Sequence, residues 1–198
     1  MTSGVEASAL RADLLEKLAA HHEEMVEVVK RLSDAEARTP PQPGEWSALQ
    51  QIEHQMLGED IWSSMAAKAA TEDEPDLSEL WAKYRIVEEQ NPFPPPAEPR
   101  TLDELLVALE ERRAQTLALI ASIPDEAFQR VGRNTGWGDM SVIQMLRALY
   151  RHYRMHIDQI QGKASAFQPR RTDSGGAQAP PLSSFAQRMG EEGAAAPR

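Results

Sequence analysis

Residues 141–161 read SVIQMLRALYRHYRMHIDQIQ. Val142, Met145, Leu149, Tyr153 and Ile160 recur at separations of three, four and seven, which puts them on one face of an amphipathic helix. Ser141 with Gln144 three residues later fits a capping box, so the helix is expected to start there and run to about Gln161. Two histidines, His152 and His156, fall inside the apolar stripe. Four residues apart, they lie about 40° from one another around the helix axis, close enough to share one ion. A helix that turns two imidazoles toward its core must satisfy them, because unpaired buried polar groups are costly. A metal ion does this; so do core carboxylates, or partial exposure.

Working upstream, the same helical period returns three more times. Leu14, Leu18, His21, Met25, Val28 and Leu32 step by 4-3-4-3-4, predicting a helix over about 8–32 that the segment TPPQPGE at 39–45 ends. Ser47 with Gln50 caps a second helix to about Ala70, with Trp46 ahead of it as a hydrophobic staple. TEDEPD at 71–76 reads as a solvated loop, and a shorter helix is expected from Asp76, with Glu79 in the capping-box position, to before Asn91. NPFPPPAEP at 91–99 reads as a stiff connector. Thr101 with Glu104 caps a further long helix with the stripe Leu102, Leu105, Leu109, Thr116 and Ile120, and Pro124 could start one more turn. Residues 129–140, with Gly132, Gly136 and Gly138, read as a loop, and no alternating strand pattern stands anywhere. The expectation is an all-α four-helix bundle with an extra short helix. Residues 1–162 form its one domain. Residues 163–198, rich in Ala, Pro, Gly and Ser, are expected to be a disordered tail.

Composition narrows the function. Hydrophobic residues at 41% beside 26% charged residues make a globular chain rather than a disordered one. There is no cysteine, which removes disulfides, thiolate metal sites and a cysteine nucleophile; any metal is held by His, Asp or Glu. Net charge is -10, and five Lys/Arg against three Asp/Glu from Lys163 onward leave residues 1–162 at -12. So acidic a body argues against nucleic acid and against an anionic membrane surface. No apolar run approaches the ~20 residues of a membrane span, and the N-terminus lacks the apolar segment of a signal peptide, so a cytoplasmic location is expected. Neither a phosphate-binding glycine loop, nor G-x-S-x-G, nor H-E-x-x-H is present.

A third histidine bears on the His152/His156 pair. His54 shares a face of the second helix with Leu57, Ile61 and Met65, and Gly58 at i+4 leaves space beside its imidazole. From spacing alone, a three-His site and three separately satisfied histidines stand level. Secondary candidates carry bland readings. His21 could line a pocket or carry protons, and a core or interface role is favoured. His22 is expected on the solvated side. Arg113 could bind a substrate carboxylate, and a side chain reaching out from the core edge is favoured. Gln159 is a candidate hydrogen-bond partner for a ligand. Glu53, Glu59 and Asp60 are expected on a solvated face, and Trp46 and Trp137 as plugs of the bundle ends.

Trp46-Ser47 followed by His54, and LYRHYRMHIDQI from Leu149 to Ile160, resemble the motifs of the DinB / YfiT-like family of metal-binding bundles. That family pairs Trp-Ser at a helix start with a His eight residues after the Trp, and a His-x3-His pair, often followed by Gln-Ile, on the last helix. The resemblance covers roughly residues 8–162. It implies a bacterial protein with a divalent ion on His54, His152 and His156 and open coordination positions. Imidazole suits Zn, Ni, Fe and Cu, and Mn is a further candidate, so ligand type leaves the metal open. Relatives include bacillithiol transferases, mycothiol-dependent isomerases and metal-dependent hydrolases. The implied activity is that of a thiol-dependent S-transferase or a hydrolase, with a small-molecule substrate and a low-molecular-weight thiol as candidate co-substrate. The alternative is a non-catalytic, metal-stabilised bundle, stress-related and homodimeric.

Overall fold

The computed structural model describes residues 4–41, 46–88 and 100–163. The expected connector at 91–99 and the expected tail beyond Lys163 lie outside the described residues. Six helices are present among them: α1 (Gly4–Val29), α2 (Asp34–Arg38), α3 (Ala48–Thr71), α4 (Ser78–Glu88), α5 (Leu102–Ser122) and α6 (Val142–Ile160). The four long ones, α1, α3, α5 and α6, pack as the four-helix bundle, and α4 is the extra shorter helix. Of the expected capping boxes, those at Ser47/Gln50, Thr101/Glu104 and Ser141/Gln144 form, α4 begins at Ser78 rather than at the expected Asp76, and a further box at Ser33/Glu36 starts the short α2. Each box satisfies backbone N–H groups that a helix start leaves open. Pro124 opens a single 3-10 turn over Asp125–Gln129.

The segment 129–140 differs from the plain loop read in the sequence. Two-residue strands β1 (Val131–Gly132) and β2 (Met140–Ser141) pair antiparallel, Val131 opposite Ser141 and Gly132 opposite Met140. Arg133 then bridges to the α3–α4 link, its N–H donating to Pro75 O at 2.9 Å and its carbonyl accepting from Leu77 N at 2.9 Å. The acidic stretch before α4 is correspondingly structural: Glu74 pairs with Arg133, and Asp76 Oδ1 accepts from Ser78 N at 2.9 Å and Asn134 Nδ2 at 3.2 Å. Strands of two residues carry no alternation to read, which is why pattern alone shows a loop. Gly136 has φ +78°, and a Cβ there would collide with the Trp81 indole, so this turn requires glycine. Trp81 also meets Trp62 and Trp137 at centroid distances of 6.2 and 6.4 Å, which places Trp137 in this end of the core.

The interior is two apolar clusters. One gathers Leu14, Leu18, Ile61, Met65, Phe128 and Leu146; the other gathers Met25, Val29, Ile52, Leu105, Leu109 and Ile157. On α1, α3 and α5, buried polar residues stand where one cluster gives way to the other: His22 on α1, His54, Gln55 and Glu59 on α3, and Arg113 and Thr116 on α5, while the buried His156 of α6 lies between Tyr153 and Ile157 of the second cluster.

Two sequence expectations for α1 are corrected here. Its buried line is Leu14, Leu18, His22, Met25 and Val29, not one through His21 and Val28. His22 is 6% exposed, with Nε2 at 2.5 Å from Glu110 Oε2 on α5, and its ring tilts against Tyr153 at 6.1 Å. His21 is half-buried, stacked on Tyr150 of α6 at 6.0 Å. Steps of three and four both stay near one face of a helix. Which is taken depends on the neighbours, and α1 packs against both α5 and α6.

Candidate metal centre

His54 comes from the second turn of α3 and His152 and His156 from the second half of α6, the two helices that face one another most extensively. The Ser47/Gln50 box sets where α3 begins, with Ser47 N donating to Gln50 Oε1 at 2.9 Å. Trp46, buried, lays its indole across the His54 ring at a centroid distance of 4.7 Å. It therefore walls the histidine cluster, rather than only closing a bundle end. α6 is pinned at its start by the box at Ser141 and by Val142 N donating to Arg130 O at 2.9 Å.

The three imidazoles converge through Nε2. His152 Nε2 lies 3.1 Å from His54 Nε2 and 2.9 Å from His156 Nε2. One donor nitrogen from each residue lies within 4.8 Å of the others. His54 and His156 are wholly buried, and His152 reaches solvent along one edge although its Nδ1 is buried. Burial pushes His54 well below the ordinary imidazole range, with the neighbouring His156 adding to the effect. It does the same to His152, aided by His156 and His54, and brings His156 down to about 3. All three rings are therefore neutral at pH 7 and offer lone pairs.

His156 is oriented from behind. Its Nδ1–H donates to Gln159 Oε1 at 2.9 Å, and Gln51 Oε1 also lies against Nδ1. With the ring proton held on Nδ1, Nε2 carries only a lone pair, the tautomer a ligand needs. Gln159 thus stands where the sequence reading put it. Gln51 was missed, although it precedes His54 by three residues on α3 and so shares its face.

The donor set fits a divalent ion. Metal–imidazole bonds are about 2.0–2.1 Å, so nitrogens 2.9 and 3.1 Å apart can touch one ion together. Among the described residues no carboxylate joins the cluster, so three neutral ligands would hold the ion and leave its charge undiminished.

The remaining candidates do not meet the histidines directly. Arg113 does not reach outward as expected. It is 2% exposed, with Nη2 3.3 Å from Glu59 Oε2 and Cζ 4.4 Å above the Tyr153 ring. Glu59 is fully buried, against the solvated position expected of it, and accepts from Tyr153 Oη at 2.9 Å. Burial in turn raises the Tyr153 phenol. Sequence reasoning missed this group because its members lie on three helices. Asp60 is exposed and pairs with Arg112, and Glu53 is half-buried, its carboxyl raised by burial. His21 sits beside Glu24, outside the cluster.

Comparison with known proteins agrees with the fold. A solved structure of YfiT from Bacillus subtilis, described as "a probable metal-dependent hydrolase with an unusual four-helix bundle topology", superposes with a TM-score of 0.59 at 17% identity. The alignment covers 77% of this chain and 84% of that one, and shows a shared fold. Curated proteins give no match. The family model of the DinB superfamily matches residues 17–160, which run from within α1 to the end of α6 and include all three histidines, and the chain belongs to that superfamily.

Proposed function

We propose that this chain is a divalent-metal-dependent enzyme, a hydrolase or a thiol-dependent S-transferase, with His54, His152 and His156 as its ligands. The observation that carries the reading is the convergence of three neutral Nε2 atoms, one of them freed by a proton held on His156 Nδ1. A divalent ion there would act as a Lewis acid that lowers the pKa of a water or thiol and polarises a substrate oxygen. The protein's own part is to hold the three lone pairs, exclude water with Trp46 and the surrounding core, and keep the imidazoles from protonating. The partly exposed edge of His152 is where a small substrate approaches. YfiT's description as a probable metal-dependent hydrolase supports the class and leaves the substrate open.

The test is metal content by mass spectrometry on natively purified protein beside His156→Ala. Near one divalent ion per chain, lost in the variant, is the expected outcome. A screen of ester, amide and thiol-transfer substrates then follows on the loaded protein. Absence of metal in both proteins, after incubation with Zn, Ni, Mn or Fe, overturns the reading.

A further inference from the structure

Beside the histidine cluster, at the junction of the two apolar clusters, lies a second group of buried polar side chains that metal binding does not use. Gln55 is fully buried, and neither its Oε1 nor its Nε2 has a hydrogen-bond partner. One turn further along α3, Glu59 is fully buried; Oε2 meets Tyr153 and Arg113, while Oε1 has no partner. Arg113 pairs with Glu59 at 3.3 Å through Nη2, and none of its Nε, Nη1 and Nη2 has a hydrogen-bond acceptor. Gln55 and Glu59 are four apart on one helix, so they share a face, and the Glu59–Arg113 contact brings α5 to it. Gln55 directly follows His54, and Tyr153 directly follows His152.

Each orphaned buried group costs stability, and cores as a rule leave very few of them. Their donor and acceptor types specify what satisfies them together. Arg113 offers only donors and Glu59 only an acceptor, while Gln55 offers one of each kind of group. A plain carboxylate satisfies Arg113 and leaves Glu59 Oε1 facing a like charge. A plain amine satisfies Glu59 and leaves Arg113 open. A carboxylate and an ammonium on one small molecule satisfy both, with Gln55 able to serve either.

We infer that Gln55, Glu59 and Arg113 form a binding subsite for the α-amino-carboxylate head of a small zwitterionic molecule. This deepens the proposed function by naming a substrate class, and it rests on that reading only for the chemistry at the molecule's other end. The subsite belongs to residues distinct from the metal ligands, so it binds with or without an ion.

The test uses the full chain, metal-free and zinc-loaded, titrated calorimetrically with L-alanine, acetate and methylammonium. L-alanine is expected to bind, with acetate and methylammonium at least tenfold weaker. Substituting Arg113 or Glu59 would strand the other buried charge, so the informative variant is Gln55→Met. It removes an orphaned amide at nearly constant shape, and is expected to melt no lower than the wild type while L-alanine binding falls at least tenfold. His156→Ala is expected to lose the ion and keep L-alanine, which separates this inference from the metal reading. Undetectable L-alanine binding in both metal states, acetate binding as tightly as L-alanine, or full binding in Gln55→Met would each overturn it.

Discussion

Acidifying the metal-free protein from pH 7 to 5.5 should cost it a large share of its stability. His54, His152 and His156 are held below the ordinary imidazole pKa by burial, His156 at about 3, whereas in the unfolded chain each titrates near 6.5. As pH falls through 6.5, the unfolded state takes up protons that the folded state refuses, so stability present above 6.5 is lost toward about 3. The loss is roughly 1.2 kcal/mol per fully buried histidine between pH 7 and 5.5. With the partly exposed His152 discounted for solvent screening, the three together cost on the order of 3 kcal/mol. For a domain of this size that lowers the melting temperature by roughly 6–12 °C. His21, also shifted down by burial, acts in the same direction. Carboxylates held low by their partners, Asp34, Glu36, Asp76 and Glu104, lose their contribution only as pH falls through the carboxylate range, below this window. The assay is calorimetric or fluorescence-detected melting in chelator at pH 7.0, 6.0 and 5.5, repeated with saturating zinc. Because the folded site is already deprotonated, zinc should raise the melting point by a similar amount at each pH. A metal-free melting temperature that stays level or rises between pH 7.0 and 5.5 refutes the argument that these rings are buried and neutral.

Three further perturbations test separate parts of the structure. Replacing Gln51 and Gln159 together by Leu removes both acceptors from His156 Nδ1, and metal affinity measured against a competing chelator should fall about 10- to 100-fold. Glu59→Met leaves Arg113 buried without a counter-charge and should cost about 3–5 kcal/mol in urea unfolding, much of it recovered in Glu59→Met/Arg113→Met; equal stability of the single variant would mean the ion pair is not buried as described. Gly136→Ala forces a side chain into positive φ and against Trp81, and should destabilise by roughly 1–3 kcal/mol with altered tryptophan emission.

The chain's own pattern carries the four long helices, most of their caps and the three histidines. These are local facts: a capping box spans four residues, and an apolar stripe repeats within one helix. The resemblance to the DinB family in the Trp46-Ser47 and His-x3-His segments likewise needs no third dimension. What tertiary structure decided is which of two adjacent positions each helix turns inward, and which side chains from different helices meet. It chose His22 over His21 on α1 because that helix packs against two neighbours at once. It buried Glu59, one residue before the exposed Asp60, because Arg113 on α5 and Tyr153 on α6 arrive to meet it. It set Gln51 behind His156 across 105 residues of chain, and stitched Arg133 to the α3–α4 link through backbone groups that every residue possesses. Periodicity reports that a face is buried; only the packing of helices distant in sequence determines what that face touches.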